Sequence, residues 1–396
     1  MLAANAPTTR RKLLWLTRNL PPLVGGMERF NERVLAELAS DFEIVVCGPA
    51  GCASALPFAS TVVEIPVKPL PRFLLRMSFE ALRAARRFQP DIVIAGSGLT
   101  APFAWMAGRR TGAKALVFLY GLDLMVAHRV YRSLWLRAIR ACDGAIAISR
   151  HTHDLAIRTG VLPQRLRIVN PGIDFPPETA PGNGAFRQRH GLGDAPLLLS
   201  VGRLTRRKGL AEFVCKALPL IVEQHPETVL IVIGGEPVDA LAGNRDGGSA
   251  AIMQAASRVG LESHVRMIGR VSDQELAEAY IDGNVYVFPV IDIPDDVEGF
   301  GLVALDAAAH AMPTVAFSVG GVPDAVLEGV SGTLLRPGDY AGFALAVQRY
   351  LRLPWGASQR DACLRHAGSC SWREVGARMR RAVSELSRGL GTPDAR

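Results

Sequence analysis

Residues 285–306 read VYVFPVIDIPDDVEGFGLVALD: a short apolar run, a polar loop and a second apolar segment. The run Val285–Phe288 predicts a buried strand, and the segment that starts at Gly299–Gly301 predicts a helix. Glycines at a helix start let a ligand approach the backbone closely, and the free amides there can bind phosphate. A strand, a loop of this kind and a helix are typical of a parallel α/β sheet.

Two carboxylates flank the start of this predicted helix. Glu298 precedes the turn, and Asp306 lies eight residues further on, within the helix. Because this spacing is near two helical turns, both side chains can face one ligand. Carboxylates only accept hydrogen bonds, and beside a phosphate site this suits the hydroxyls of a sugar. Helix capping is the alternative for Glu298 alone, and it leaves the glycines unexplained.

A basic loop follows the first apolar run of the second half of the chain. Residues 202–209 read GRLTRRKG. Arg203 and Lys208 suit a diphosphate, because a guanidinium donates forked hydrogen bonds and an ammonium supplies a point charge. A solvated basic loop is the alternative. We expect Arg206 and Arg207 to be solvated in either case.

Short β-branched runs alternate with amphipathic segments in both halves of the chain. Near-continuous apolar strands separated by helices are typical of parallel sheets covered on both faces. Two such series predict two doubly wound α/β domains, residues 1–175 and 176–372, joined by the Pro- and Gly-rich segment Asn170–Asn183. Near the N-terminus, Gly25-Gly26 marks a turn into a helix, and a tight turn without a ligand is the alternative there.

Composition limits the class of protein. The 396 residues include six cysteines without the spacing of a metal or disulfide framework, which favours a reducing, cytoplasmic location. The uncharged stretches Ile44–Val63 and Ile92–Gly108 are interrupted by Gly and Pro and do not predict membrane-spanning helices. Residues 1–175 hold 23 Lys and Arg against 12 Asp and Glu, a net +11, and the remainder hold 22 against 25, a net −3, which together give +8. This asymmetry predicts an anionic partner for the first half.

Together these motifs resemble the retaining glycosyltransferases of family 4, which have the GT-B fold of two Rossmann-like domains facing a cleft. The resemblance covers nearly the whole chain and includes Val232–Gly235, Met267–Val271 and Gly320–Pro323. The sequence around Glu298 is most similar to that of phosphatidylinositol mannosyltransferases and of capsule or exopolysaccharide enzymes. In this fold the first domain binds the acceptor, the second binds the nucleotide sugar, and the last helix, here from about residue 373 to 396, crosses back to the first domain.

The resemblance implies a role for each matching position. Glu298, Arg203 and Lys208 would be catalytic, the carboxylate contacting sugar hydroxyls and the cations neutralising the diphosphate. The positions implied to bind the donor and its nucleotide are Gly25, Gly26, Gly234, Arg270, Val271, Phe300, Gly301, Leu302 and Asp306. Tyr120 and Asp123 would line the cleft on the acceptor side. No metal ion and no cofactor is implied.

Two positions depart from the family pattern. Asp306 stands where the family usually has a Glu that holds the ribose hydroxyls, and Asp is one methylene shorter. Tyr120 stands where many relatives have His. A phenol can still hydrogen-bond a sugar hydroxyl, but it cannot become an imidazolium near neutral pH.

The implied reaction retains the configuration of the sugar. Because no carboxylate is placed for covalent attack, we favour a front-face reaction in which the leaving phosphate helps to deprotonate the acceptor. Fixed cations would stabilise the leaving diphosphate without a metal ion. A magnesium site at Asp292, Asp295 and Asp296 is the alternative. GDP-mannose is the predicted donor, and UDP-glucose or another UDP-sugar is the alternative.

Basic and apolar residues are mixed in Pro71–Phe88, Arg129–Arg140 and Trp372–Leu390. With the positive first half, the first two segments predict peripheral contact with the inner face of the cytoplasmic membrane and a lipid-linked or glycan acceptor. Ordinary surface helices are the alternative. The competing functions are a nucleotide-sugar epimerase, a glycan phosphorylase and a non-catalytic protein that binds anionic lipid. No nucleic-acid recognition motif is present, so no nucleic-acid partner is expected.

Overall fold

A computed structural model of the chain describes residues 10–126, 128–175, 184–236, 248–294 and 296–388. Contacts divide it into two compact units. Unit 1 runs to Gly172 and includes the segment from Trp372 onward, and unit 2 is Ile173–Ser371. The sequence-based boundaries, after residue 175 and near residue 373, lie within a few residues of this division. The linker beyond residue 175 and the end of the predicted C-terminal helix beyond residue 388 lie outside the described residues.

Unit 1 is built on a seven-stranded parallel sheet. Its strands are β1 (Arg11–Leu16), β2 (Phe42–Pro49), β3 (Thr61–Ile65), β4 (Ile92–Ala95), β5 (Lys114–Leu119), β6 (Gly144–Ala147) and β7 (Leu166–Ile168). Its first helices are α1 (Gly26–Leu38), α2 (Leu70–Phe88), α3 (Ala101–Thr111), α4 (Leu122–Met125), α5 (Arg129–Ala141) and α6 (Arg150–Arg158). The strand order is β3-β2-β1-β4-β5-β6-β7.

Unit 2 is built on a six-stranded parallel sheet. Its strands are β8 (Leu197–Val201), β9 (Val229–Ile233), β10 (Val265–Gly269), β11 (Val285–Phe288), β12 (Thr314–Phe317) and β13 (Gly332–Leu335). Its helices are α7 (Ala185–His190), α8 (Leu210–Lys216), α9 (Leu218–Gln224), α10 (Ser249–Arg258), α11 (Asp273–Asp282), α12 (Leu302–Ala309), α13 (Val322–Ala325), α14 (Tyr340–Arg352) and α15 (Ala357–Ser369). The strand order is β10-β9-β8-β11-β12-β13.

The sheet of unit 1 is covered by helices on both faces. Leu14 of β1 belongs to the same buried cluster as Phe73 of α2. The ring of the next residue, Trp15, lies 5.3 Å from that of Phe118, which in turn lies 5.7 Å from Phe30 of α1. Since successive side chains of a strand point to opposite faces, α2 and α1 cover different sides of the sheet. The two predicted parallel α/β domains are confirmed.

One strand was not predicted from the sequence. β3 is the edge strand of unit 1 and pairs with β2 alone among the described strands. Only Ile65 of its five residues is buried. An edge strand needs no continuous apolar run, so the pattern used to predict the central strands does not detect it.

The last helix, α16 (Trp372–Arg388), packs against unit 1 as predicted. The indole of Trp372 lies 6.0 Å from the ring of Phe30 in α1. At the middle of the helix, Arg380 Nη1 donates to Glu37 Oε2 at 3.0 Å. Among the described residues, no helix is long and apolar enough to span a membrane.

We expect Trp372→Ala to destabilise unit 1 by about 3–5 kcal/mol, because truncating a buried aromatic residue removes apolar contact and leaves a cavity. The side chain is mostly buried, with 9% of Trp372 exposed. Chemical denaturation followed by intrinsic fluorescence and circular dichroism measures the effect. Arg373→Ala is the matched control, since the Arg373 side chain is 92% exposed. Equal unfolding midpoints for the two variants would contradict the packing role of Trp372.

Candidate active site

The site in unit 2 lies at the carboxyl ends of β8 and β11. These strands are adjacent in the sheet, but the chain continues from β8 to β9 on one side and from β11 to β12 on the other. Loops that diverge in this way leave a crevice, where parallel sheets bind their ligands. The amide of Ile291, after β11, donates to the carbonyl of Arg207, after β8, at 2.9 Å. The two motifs singled out in the sequence are therefore neighbours.

Two glycines allow the loops to approach each other at this edge. Gly209 has a φ of +67°, and a β-carbon there would overlap the carbonyl oxygen of Pro289. Gly234 has a φ of +139°, and a β-carbon there would overlap the carbonyl oxygen of Gly202. Both the backbone conformation and the lack of space therefore require glycine. Gly234, one of the positions implied to bind the donor and its nucleotide, lets the ends of β8 and β9 approach each other.

Glu298 forms an ion pair with Lys208. Glu298 Oε2 accepts a hydrogen bond from Lys208 Nζ at 2.9 Å. The ammonium also lies over the ring of Phe288, 4.7 Å from its centroid. The two charged side chains are 13% and 14% exposed, so the pair is mostly removed from water. The structure thus brings together two of the three residues predicted to be catalytic.

The prediction that Arg207 is a solvated loop residue is wrong. Arg207 is 8% exposed, and its Nη1 donates both to Glu298 Oε2 and to the carbonyl of Val297, each at 3.0 Å. Its Nε lies 3.2 Å from Asp296 Oδ1. Arg207 occupies a one-turn 3₁₀ segment. So short a segment has no hydrophobic period that would separate this buried arginine from its exposed neighbour Arg206.

The cations determine the charge of Glu298. Burial alone would raise the pKa of this carboxyl, but Lys208 and Arg207 outweigh burial and hold the pKa below its usual range. Glu298 is therefore an ionised group that can only accept hydrogen bonds. The pKa of Lys208 is lowered, because burial and the charge of Arg207 outweigh the opposing effect of Glu298.

Helix α12 begins at Leu302, and residues 299–301 form the turn between Glu298 and the helix. The amide of Gly321 donates to the carbonyl of Glu298 at 2.8 Å, which fixes the turn from the neighbouring loop. The Phe300 side chain, in the same turn, is buried. The amides of Gly301 and Leu302 belong to the first turn of the helix, where backbone amides have no partner within the helix. These amides and the helix dipole favour an anion at this position.

Asp306 lies on α12 and is half-buried. Burial raises the pKa of the Tyr286 hydroxyl well above its ordinary value, and the carboxylates of Glu298 and Asp306 raise it further. The Tyr286 hydroxyl donates to the carbonyl of Val201 at 3.1 Å. That Asp306 binds ribose stays a prediction.

The remaining predicted donor residues of unit 2 lie at the same strand ends. Arg203 and Arg270 are exposed, and Val271 is half-buried. The Arg270 side chain lies beside Gly235, whose carbonyl accepts a hydrogen bond from the amide of Leu204 at 3.1 Å. This contact links the loop after β8 to the residues that follow β9 and β10. The roles of Arg203, Arg270 and Val271 toward a ligand stay predictions.

The alternative of a magnesium site concerns the acidic loop before Glu298. Asp296 faces Arg207, Asp292 is exposed, and Asp295 lies outside the described residues. In the part of the chain that the structure describes, no group of three or more His, Cys, Asp or Glu side chains is arranged to hold a metal ion. The expectation that no cofactor is required stays a prediction.

The corresponding switch point of unit 1 lies between β1 and β4. Gly25 and Gly26 lie at the start of α1, beside this edge of the sheet. The Glu28 side chain folds back against Gly25, and its Oε1 accepts a hydrogen bond from Asn19 Nδ2 at 2.7 Å. The predicted contact of the glycine pair with phosphate is not tested by this geometry.

Tyr120 and Asp123 follow β5 and face the same polar edge of unit 1. The Tyr120 hydroxyl accepts a hydrogen bond from Asn31 Nδ2 at 2.9 Å, and burial raises the pKa of this phenol well above its ordinary value. Asp123 Oδ2 accepts from the Tyr120 amide at 3.0 Å, and burial raises the pKa of Asp123 to about 6. Asn31 was not predicted, although its place on the buried face of α1 could be read from the helical period.

Comparison with known families identifies both halves of the chain. The model of "Glycosyltransferase Family 4" matches residues 24–175. The model of "Glycosyl transferases group 1" matches residues 183–367. The first range contains Tyr120 and Asp123, and the second contains Lys208 and Glu298.

Individual relatives agree with these families. A GDP-mannose-dependent alpha-(1-6)-phosphatidylinositol monomannoside mannosyltransferase from Mycolicibacterium smegmatis is 28% identical over 390 residues, which cover 94% of this chain and 98% of the relative. A D-inositol 3-phosphate glycosyltransferase from Streptosporangium roseum is 30% identical over 225 residues, or 56% of this chain and 49% of that relative. The matched region thus spans about half of the second enzyme.

The crystal structure of HepE from Anabaena, in complex with UDP, matches with a TM-score of 0.76 at 18% identity. The match covers 94% of this chain and 99% of HepE, and it shows the fold alone. The predicted fold class and enzyme class are confirmed. The chain belongs to the family 4 glycosyltransferases, enzymes of GT-B fold that transfer a sugar from a nucleotide-sugar donor.

Proposed function

We propose that this enzyme transfers mannose from GDP-mannose to a lipid-linked or glycan acceptor in cell-envelope synthesis, with retention of configuration. The observation that carries the proposal is the buried cluster of Glu298, Lys208 and Arg207 beside the first amides of α12. A diphosphate needs fixed positive charge, and a sugar needs hydrogen-bond acceptors. The cluster offers both within one strand-end crevice.

The transition state places negative charge on the leaving diphosphate. In the proposed reaction, Lys208 and Arg203 face this charge, and the amides of Phe300, Gly301 and Leu302 donate to it. Charges and dipoles that are already in position stabilise such a transition state without reorganisation. Glu298, which is ionised, accepts hydrogen bonds from hydroxyls of the transferred sugar.

The acceptor attacks from the face that the diphosphate leaves. The bond between the anomeric carbon and the phosphate oxygen breaks, and the acceptor oxygen forms its bond to that carbon on the same side. The proton of the acceptor hydroxyl passes to the departing phosphate. No residue is consumed, and the cationic side chains take the place of a divalent ion.

GDP-mannose is favoured as donor because the M. smegmatis relative, which aligns with almost the whole chain, carries that donor in its name. The second candidate is a UDP-sugar, since HepE binds UDP in its crystal structure. The same chemistry serves both donors, and the loops around Gly234 and Arg270 would set the choice of base.

We expect GDP to raise the thermal stability of the protein more than equal concentrations of UDP or ADP. A ligand that binds only the folded state stabilises it according to its concentration over Kd, by about 2.7 kcal/mol at 100 times Kd. Differential scanning fluorimetry measures the shift. A larger shift with UDP would replace GDP-mannose by a UDP-sugar, and Lys208→Ala is expected to reduce the shift with either nucleotide.

We expect Glu298→Gln to lower kcat by about 100- to 1000-fold, the range for removing one group that stabilises a transition state. Lys208→Ala should cause a similar loss in kcat/KM, because it removes a charge from the diphosphate. Release of nucleoside diphosphate from GDP-mannose in the presence of a lipid acceptor extract measures the rate. Glu227→Gln and Lys216→Ala are the controls, since both positions are exposed in unit 2. Normal turnover of folded Glu298→Gln and Lys208→Ala proteins would overturn the assignment.

A lipid-linked acceptor also requires contact with a membrane surface, for which α2 is the proposed element. Its inner face is buried at Phe73 and Met77, whereas Leu75 and Phe79 are 74% and 65% exposed. Helical spacing places exposed arginines on the same outer stripe as these two residues: Arg72, Arg76 and Arg83. Apolar side chains flanked by arginines suit the boundary between acyl chains and anionic headgroups.

We expect the protein to co-sediment with vesicles that contain phosphatidylglycerol and not with vesicles of phosphatidylcholine alone. The double variant Leu75→Ser/Phe79→Ser should weaken this binding by about tenfold or more, because each apolar side chain contributes about 1.5–3 kcal/mol when it leaves water. Leu345→Ser is the matched control, since Leu345 is 62% exposed on α14 of unit 2. Equal binding of both variants would exclude α2 as the contact.

A further inference from the structure

We propose that Arg207 is a positioning residue that holds Glu298 when Lys208 leaves this carboxylate for the donor diphosphate. The inference rests on the proposed function, in which Lys208 contacts the diphosphate and Glu298 contacts the sugar. Arg207, in this proposal, contacts neither the diphosphate nor the sugar and acts only through Glu298.

Two cations share one oxygen of Glu298. Lys208 Nζ and Arg207 Nη1 both donate to Oε2, at 2.9 and 3.0 Å. The ammonium has three donors, and the several charged oxygens of a diphosphate compete for them with the one carboxylate oxygen. In the proposed sequence of events, the ligand-free arrangement is the resting state of Lys208, and donor binding turns its ammonium from Glu298 towards the diphosphate.

The two cations differ in how they are held. Arg207 contacts three successive residues of the opposite loop: its Nη1 donates to the Val297 carbonyl and to Glu298, and its Nε faces Asp296 Oδ1 at 3.2 Å. Its own carbonyl accepts a hydrogen bond from Ile291 at 2.9 Å. The guanidinium has several donors in a rigid plane and can keep these contacts together. Arg207 is thus fixed from its backbone to its tip.

Lys208 has fewer fixed contacts among the described groups. Its ammonium lies between Glu298 and the face of the Phe288 ring, and four methylene groups connect it to the backbone. A compact ammonium on a flexible chain can change partner by rotation about these bonds. Burial lowers the pKa of Lys208, and Arg207 and Arg203 lower it further against the opposing effect of Glu298, so additional negative charge would stabilise the ammonium. An incoming diphosphate supplies the missing negative charge.

When Lys208 turns to the diphosphate, Glu298 loses one of the positive charges that keep its carboxylate ionised. The groups that act on its carboxylate are Lys208 and Arg207 in direct contact, Arg203 at longer range, and the neutral phenol of Tyr286 nearby. After Lys208 has turned to the diphosphate, Arg207 is the remaining cation in direct contact among these groups. Without Arg207, burial would favour the protonated carboxyl, which accepts hydrogen bonds from sugar hydroxyls less well.

The test compares Arg207→Gln and Arg207→Lys with Arg206→Gln, the exposed neighbour in the same turn. For each protein, calorimetry measures the Kd of GDP, and initial rates with GDP-mannose give kcat and KM from pH 5 to 9. We expect the Kd of GDP to stay within about threefold and kcat of Arg207→Gln to fall about 10- to 100-fold, as for the loss of a hydrogen bond to a charged group. Arg207→Lys should recover part of kcat.

The pH profile separates positioning from a structural role. Loss of a direct cation raises a carboxyl pKa by about one unit or more, so the acid limb of kcat should move to higher pH in Arg207→Gln. A lower kcat with an unshifted acid limb would mean that Arg207 only supports the loop, and it would overturn the inference. Wild-type behaviour of Arg207→Gln, or an equal effect of Arg206→Gln, would overturn it as well.

Lys208→Ala distinguishes failure of this inference from failure of the proposed function. If Lys208→Ala binds GDP and transfers mannose like the wild type, Lys208 has no role at the diphosphate and both proposals fail. If Lys208→Ala loses binding and turnover while Arg207→Gln matches Arg206→Gln, the function stands and only the role of Arg207 is refuted. If Arg207→Gln does not fold, Arg207→Met, which also removes the charge but keeps an unbranched side chain of similar length, provides the same comparison of the acid limb.

Discussion

A carboxylate that is mostly removed from water must be neutralised, and the site of unit 2 is organised around that requirement. Glu298 is placed between Lys208 and Arg207, which offset the cost of burying its charge. A leaving diphosphate also needs positive charge, and in the proposed reaction Lys208 supplies it while Glu298 contacts the sugar. The ion pair is thus a structural contact in the ligand-free protein, and the proposed function gives each of its two members a partner in the donor.

The parallel sheet makes this pairing possible. β8 and β11 are far apart in sequence but adjacent in the sheet, and their carboxyl ends deliver a basic loop and an acidic loop to one crevice. Close approach of these loops depends on Gly209, where a β-carbon would collide with the carbonyl of Pro289 after β11. Gly234 has the same role between the ends of β8 and β9, where a β-carbon would collide with the carbonyl of Gly202.

The positive net charge of unit 1 lies on its surface and has no role in its apolar core. The inner faces of its helices are apolar, whereas α2 presents arginines, Leu75 and Phe79 to the outside. Its strand-end edge is different in character, with a neutral Tyr120 bound by Asn31 and an Asp123 whose pKa is raised to about 6. Unit 1 therefore has two surfaces of different character, an outer stripe of α2 that combines arginines with apolar side chains and a strand-end edge with buried polar groups.

The sequence by itself determined the two parallel α/β units and the place of the motifs around Lys208 and Glu298 at strand ends, because buried strands, helix periods and strand-end glycines are local patterns. The return of the last helix was implied by the resemblance to a known family. The local patterns missed the edge strand β3, which lacks a continuous apolar run, and they placed Arg207 in solvent. Only the tertiary structure decided that Arg207 is buried and that Lys208 is already paired. Both facts depend on contacts with Glu298, about ninety residues away along the chain, and no local period encodes such a contact.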